Sequence, residues 1–221
     1  MVNSQNGWPA SADRRAIGVG YFEVAGVEFP GGVKTGDVAV VLGNIAREIH
    51  ERVERLHAGW CWGHNFRTVV GSRTVSNHGS GTAIDINAPD HGIGQRGTFT
   101  AKQTATIRAI MRAHDDVVRW GGDYAGRPDE MHFEINASAA RVATLADKIR
   151  NAEKEDDMEA RDVWGYTNRD PDANPLGKDA YFALMQTYRV AAENQRRIGA
   201  LEKKIDGLTV AVQAFMKTLQ S

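Results

Sequence analysis

The residues of this sequence that could carry out chemistry fall in two short segments, each containing a histidine and a carboxylate. In the first, His78 and Asp85 are seven residues apart across a glycine-rich stretch. In the second, His132 follows the carboxylates of Asp129 and Glu130. A catalytic zinc ion takes three protein ligands from His, Asp and Glu and leaves a fourth position to a water molecule whose pKa it lowers to about 7. His78, Asp85 and His132 would supply that set.

Hydrolysis at such a site also needs a carboxylate that takes a proton from water and passes it to the leaving amine. Asp129 and Glu130 are the nearest candidates. Strand alternation favours Glu130, because residues two apart on a strand share a face and Glu130 is two residues before His132. If the strand begins only at Met131, Asp129 lies in the preceding loop and can turn inward. The residues alone leave both candidates open.

A purely structural explanation of these residues is that the two histidines and Asp85 belong to turns and a hydrogen-bonded core. The intervening residues favour a site. Gly79 and Gly81 allow a tight turn that brings the chain back, and residues 82–87 then have the pattern of a strand. Asp85 and Asn87 would share one face of it.

The full pattern resembles the zinc peptidases of the M15 type. The first motif, Ser-x-His-x-x-Gly-x-Ala-x-Asp, is matched at Ser76, His78, Gly81, Ala83 and Asp85, and the later acid-x-x-His is matched at Asp129 and His132. These peptidases include D-alanyl-D-alanine carboxypeptidases and dipeptidases and the L-alanyl-D-glutamate endopeptidases of phage endolysins. The resemblance is closest over residues 66–135 and looser over the rest of the first domain.

The resemblance implies that both histidines and Asp85 bind zinc and that Asp129, rather than Glu130, is the general base. M15 enzymes also carry an arginine ahead of the first zinc motif that contacts the substrate. Arg67 is the closest match in position, and Arg73 is the alternative. Ser76 of the motif is expected to contact the substrate as well.

The elements that must hold these residues are short strands and amphipathic helices. Apolar residues at helical spacing predict the helices, and period-two alternation predicts the strands. We therefore expect an α+β catalytic domain over residues 1–151, with a small, mainly antiparallel sheet and flanking helices. The predicted helices are 37–57, 100–113 and 138–151, and the predicted strand regions are 18–29, 82–87, 117–120 and 131–135.

Beyond the catalytic domain, residues 152–177 are acidic and turn-rich, which is typical of a linker. Residues 178–221 are predicted to form a coiled-coil helix. Its apolar residues alternate in steps of three and four, so residues 191–219 are expected to bring copies of the chain together. The seam consists of Ile198, Leu201, Ile205, Leu208, Val212, Phe215 and Leu219.

The composition is that of an ordinary globular protein, with 42% hydrophobic and 25% charged residues among 221. A formal net charge of -1 argues against general binding of nucleic acid or an anionic membrane surface. Cys61 is the only cysteine, which excludes an intrachain disulfide and a cysteine-rich zinc site. We see neither a signal peptide at the start nor an apolar run long enough to span a membrane.

The resemblance, which is closest to the phage lysins, implies a zinc-dependent peptidoglycan hydrolase that cleaves the stem peptide, with the L-alanyl-D-glutamate bond as the favoured target. A D-alanyl-D-alanine carboxypeptidase is the nearest alternative. A non-enzymatic virion or binding protein is the alternative from another class. Without a signal peptide, the expected location is the host cytoplasm before release to the cell wall, as for a phage lysin.

Overall fold

The structure is a computed structural model that describes residues 2–69 and 71–152. The described residues fall within one compact unit, Met1–Lys154. The predicted linker beyond residue 152 and the predicted coiled coil, with its association surface at 191–219, lie outside the described residues.

The described part of the chain contains three α-helices: α1 (Asp37–Arg52), α2 (Ala101–Ala113) and α3 (residues 139–152). Helix α1 buries one apolar side, as the spacing of its residues predicts. None of the described helices is long and apolar enough to cross a membrane. The buried apolar residues of α1 are Val38, Val41, Leu42, Ile45, Ala46 and Ile49.

Helix α1 ends at Arg52, five residues before the predicted end at His57. The backbone beyond Arg52 finds other partners. The Leu56 N–H donates to His50 Nδ1 at 3.1 Å, and the His57 N–H donates to Asn87 Oδ1 at 2.9 Å. Because Asn87 is distant in sequence, the periodic pattern of the helix could not reveal this early end.

The strands are short and pair in small antiparallel sheets. They are β1 (Val2–Asn3), β2 (Pro9–Ala10), β3 (Val19–Gly20), β4 (Glu23–Val24), β5 (Val27–Glu28), β6 (Val33–Lys34), β7 (Ala83–Asp85), β8 (Val118–Trp120) and β9 (His132–Ile135). β1 pairs with β2, β3 with β6, and β4 with β5, while the order β7-β9-β8 forms a three-stranded sheet. The described residues thus combine helices with small antiparallel sheets, which confirms the α+β prediction for this part of the chain.

The three-stranded sheet joins the core to the candidate site. β9 is its central strand, and Asp85 of β7 lies directly opposite His132 of β9. Side chains alternate between the faces of a strand. Ile84 and Phe133, also paired across these strands, are completely buried in the hydrophobic core. Asp85, His132 and Glu134 therefore share the other face, away from the apolar packing.

Helix α2 begins with a reciprocal cap at Thr100. The Thr100 Oγ1 accepts a hydrogen bond from the Gln103 N–H at 3.3 Å, and Gln103 Oε1 accepts one from the Thr100 N–H at 2.9 Å. The two bonds satisfy backbone donors that the first turn of a helix leaves without partners.

We expect Thr100→Ala to lower the free energy of unfolding by about 1 kcal/mol, because it removes the N-cap acceptor. The matched control is Thr106→Ala in the same helix. The Thr106 hydroxyl only donates to the Lys102 carbonyl of the preceding turn, and Ala has the higher helix propensity. Urea unfolding midpoints measure both changes, and equal midpoints for the two variants would exclude a contribution from the cap.

Candidate metal centre

Three side-chain atoms from two chain segments converge in the buried face of the sheet. His78 Nε2 lies 3.1 Å from Asp85 Oδ1 and 3.0 Å from His132 Nδ1, and the last two atoms are 2.9 Å apart. All three residues are buried. Ligand atoms held about 2.0–2.2 Å from a tetrahedral zinc ion are themselves roughly 3.3 Å apart. The observed triangle is therefore close to the size that one zinc ion requires.

Hydrogen bonds on the far side of each ring orient the two histidines. His78 Nδ1 donates to the Gly63 carbonyl at 2.7 Å, which leaves the Nε2 lone pair directed at the triangle. His132 Nε2 lies 3.2 Å from Glu134 Oε2, so a proton there leaves Nδ1 as the ligand atom. Partners of this kind fix the tautomer of a metal-binding histidine and raise its basicity.

A short 3-10 turn over Asn77–Ser80 delivers His78 to the site. The Ser76 Oγ caps this turn by accepting a hydrogen bond from the His78 N–H at 3.3 Å. Gly81 ends it with φ +69°, and a Cβ on Gly81 would lie 2.4 Å from Val19 Cγ2. Gly81 is therefore required both by its backbone conformation and by the close approach of its neighbour.

Glu134 is the site residue that the sequence interpretation missed. Its carboxylate accepts hydrogen bonds from Arg119 Nε at 2.8 Å, from the Tyr124 hydroxyl at 2.7 Å and from Asn77 Nδ2, as well as from His132. Burial raises the pKa of Glu134, but the bonds from His132, Tyr124 and Arg119 outweigh it and hold the pKa at about 2. Strand alternation was the available signal, since Glu134 is two residues after His132.

The charges of the site favour a cation. Burial opposes ionisation of Asp85, yet His78 and His132 hold its pKa well below the usual range. Burial lowers the pKa of His132, but hydrogen bonds to Asp85 and Glu134 outweigh it and raise the pKa to about 10. Two buried carboxylates thus stabilise positive charge between them. This donor set, of two imidazoles and a carboxylate, fits a zinc ion.

Asp129 lies in the loop before β9 and lines a cavity together with His132. Its Oδ1 is buried and has no hydrogen-bond partner among the described residues. The pKa of Asp129 is raised to about 6, mainly by burial and also by Asp85, against the opposing effects of His132, His78 and Arg67. A carboxylate with an unused oxygen beside the ligand triangle is chemically suited to proton transfer.

The neighbouring Glu130 turns the other way. Its carboxylate accepts hydrogen bonds from the backbone N–H groups of Gly97 at 2.7 Å and Thr98 at 2.8 Å, and from the Thr98 hydroxyl. Burial raises the pKa of Glu130, but these bonds lower it overall. Glu130 therefore anchors the loop at 97–99 and does not line either cavity beside the ligand triangle.

Two cavities adjoin different residues of the ligand triangle. The larger, of about 480 Å³, reaches His132, and the smaller, of about 300 Å³, reaches His78 and Asp85. Arg67 lines both cavities, whereas Arg73 lines neither. The larger is lined by Gln5, Arg67, Val69, Ser76, Ile93, Arg119, Asp123, Tyr124, Ala125, Arg127, Asp129 and His132. The smaller is lined by Trp62, Gly63, Asn65, Arg67, His78, Asp85 and Met131.

Two further histidines near the motifs have structural partners instead. His64 Nε2 bonds to the Ser11 carbonyl at 3.0 Å. His91 bonds to Thr98 Oγ1 at 2.7 Å and to Glu54 Oε1 at 2.9 Å. The described residues thus leave the candidate centre with three protein ligands, which suits a catalytic zinc with an open position.

Comparison with known proteins gives one family. Residues 69–135 match the family model described as D-alanyl-D-alanine carboxypeptidase, of the M15 peptidases. The matched range includes His78, Asp85, Asp129 and His132, and it confirms the resemblance to M15-type peptidases. No curated protein and no solved structure gives a significant match to the chain.

We expect Glu134→Gln to weaken zinc binding by about 10- to 100-fold, because it removes the charge that orients and polarises His132. Competition with a chromophoric chelator measures the zinc affinity. Glu28→Gln, an exposed carboxylate on the β4–β5 hairpin, is the matched control and should bind zinc like the wild type. Unchanged affinity in Glu134→Gln, in a variant with a native circular dichroism spectrum, would contradict a role for this carboxylate in zinc binding.

Proposed function

We propose that this M15-type peptidase is a zinc-dependent hydrolase of the peptidoglycan stem peptide, with the L-alanyl-D-glutamate bond as its preferred target. The observation that carries the proposal is the triangle of His78, Asp85 and His132 with Asp129 beside it. The three ligand atoms are about 3 Å apart, and the Asp129 carboxylate has an oxygen without a partner among the described residues.

In the proposed mechanism, zinc held by His78, Asp85 and His132 would polarise the scissile carbonyl and make water nucleophilic at neutral pH. Asp129 accepts the proton of the attacking water and then donates it to the leaving amine. Burial raises the pKa of Asp129 to about 6, so that the carboxylate is a better proton acceptor than an exposed aspartate. Glu134 holds the His132 ring in orientation throughout.

Arg67 and Ser76 are proposed to contact the substrate. Both line the larger cavity, and Arg67 also lines the smaller one. The Arg67 guanidinium forms no hydrogen bond or ion pair with any residue that the structure describes, so its donors are available to a substrate carbonyl or carboxylate. An extended peptide that crosses from one cavity to the other would pass this side chain. This supports Arg67 over Arg73.

The presence of two cavities, one at His132 and one at His78 and Asp85, favours an endopeptidase, which must hold chain before and after the scissile bond. The family description favours the second candidate, a D-alanyl-D-alanine carboxypeptidase, and the arginines of the larger cavity could hold a terminal carboxylate. The Asp129 oxygen that has no partner in residues 2–69 and 71–152 argues against a non-enzymatic role. We propose that the protein acts as a phage lysin, which is made in the host cytoplasm and then released to the cell wall.

We expect Asp129→Asn to reduce turnover of purified peptidoglycan by at least about 100-fold, because the proton acceptor is lost. Zinc affinity should be kept, since all three ligands remain. Glu130→Gln is the matched control one residue away, and its turnover per folded molecule should stay near that of the wild type. The rate of appearance of new amino groups measures both. Asp129→Asn with wild-type turnover would reject Asp129 as the base.

The products identify the bond. Mass spectrometry of the digest should show new amino termini on D-glutamate or D-isoglutamine, lost with a chelator and restored by zinc. Release of free D-alanine would move the enzyme to the carboxypeptidases. Absence of any cleavage by the zinc-loaded wild type would reject the enzyme proposal and favour a binding protein.

A further inference from the structure

The larger cavity contains an arginine that the proposed mechanism does not use. Two other charged residues of its lining are neutralised within the described structure. Asp123 forms an ion pair with Arg108, with Nη2 and Oδ1 2.6 Å apart, and Arg119 is paired with Glu134. Arg127, by contrast, forms no hydrogen bond or ion pair with any residue in the ranges 2–69 and 71–152. Its charge is available to a ligand of the cavity.

Contact with a neighbouring loop positions Arg127. The Gly94 N–H donates to the Pro128 carbonyl at 2.8 Å, which joins the loop around Gly94 to the loop that carries Arg127. A Cβ on Gly94 would lie 3.4 Å from Arg127 Nε, so the arginine side chain lies against the glycine backbone. Arg127 lines only the larger cavity, whereas Arg67 lines both.

The position of Asp129 indicates which side of the scissile bond lies in the larger cavity. A group that protonates the leaving amine must lie next to that amine, and Asp129 lines the larger cavity. The residue on the carboxyl side of the scissile bond, which carries the amine, therefore belongs in the larger cavity with Arg127.

The stem peptide has carboxylates on this side. D-Glutamate is joined to the next residue through its γ-carboxyl group, so its α-carboxylate is free and sits on the carbon that bears the leaving amine. A diaminopimelate in the third position adds a second carboxylate. Amidation, which turns D-glutamate into D-isoglutamine, removes the charge.

We propose that Arg127 binds a free carboxylate of the stem peptide on the carboxyl side of the scissile bond, and so makes the enzyme prefer unamidated stem peptides. This inference rests on the proposed peptidase function. A guanidinium can grip a carboxylate through two parallel hydrogen bonds, and an amide in the same place would accept fewer bonds and carry no charge. The discrimination should therefore act on substrate binding.

The test uses the zinc-loaded full chain and muramoyl peptides that differ in one group at a time: D-glutamate or D-isoglutamine, each followed by L-lysine, diaminopimelate or ε-amidated diaminopimelate. For the wild type, amidation of the carboxylate that Arg127 binds should raise KM roughly 10- to 100-fold with little change in kcat. Arg127→Gln should lose this difference, and Arg127→Lys should keep part of it. Arg112→Gln, an exposed arginine on α2, is the matched control and should discriminate like the wild type.

The pair of substrates that loses its difference in Arg127→Gln identifies which carboxylate is bound. Equal KM values of the wild type for all substrates, or full discrimination kept by Arg127→Gln, would overturn the inference while leaving the peptidase proposal intact.

Calorimetric binding of γ-D-glutamyl-L-lysine, γ-D-glutamyl-diaminopimelate and their amides separates the two proposals when no hydrolysis is seen. Tighter binding of a free carboxylate, lost in Arg127→Gln, would support the carboxylate site although the peptidase proposal fails. Equal binding of the free and amidated peptides would overturn the site as well.

Discussion

The candidate site depends on the antiparallel pairing of β7 with β9. This pairing sets Asp85 opposite His132 and, on the reverse face, Ile84 opposite Phe133 in the hydrophobic core. Because side chains alternate along a strand, a slip of one residue would send the ligands into the core and the apolar residues into the site. The burial of Ile84 and Phe133 therefore maintains the register on which the ligand triangle depends, and the stability of the core and the geometry of the site are linked.

Buried charge is the second constraint. Asp85 and Glu134 are both held ionised in the interior, which is unfavourable unless each is paired and hydrogen-bonded. His132 lies between them and is hydrogen-bonded to both. Glu134 also accepts hydrogen bonds from Arg119 and Tyr124, which line the larger cavity. The same bonds that offset the cost of burial thus orient a candidate ligand histidine. Glu134 therefore connects the wall of the larger cavity to the candidate metal centre.

Asp129 and Glu130 are adjacent carboxylates with different environments. The His132 N–H donates to the Asp129 carbonyl at 3.1 Å, so the chain turns immediately before β9. This turn leaves the Asp129 side chain at the cavity and sends Glu130 toward the backbone of residues 97–99. Within the described part of the chain, one Asp129 oxygen has no hydrogen-bond partner, whereas Glu130 accepts several hydrogen bonds. Two carboxylates that look equivalent in the sequence therefore have different surroundings in the fold.

Residue types and their spacing were enough to select the ligand candidates, the range of α2 and the α+β class, because each leaves a pattern of residue types within short segments of the sequence. The family resemblance pointed to Asp129, whereas strand alternation pointed to Glu130 and passed over Glu134. The early end of α1 through Asn87, the saturation of Glu130 by a distant loop and the position of Arg67 in both cavities were not visible in any local pattern. Each of these is decided by which polar groups a distant segment brings within hydrogen-bond range, and only the tertiary structure determines that.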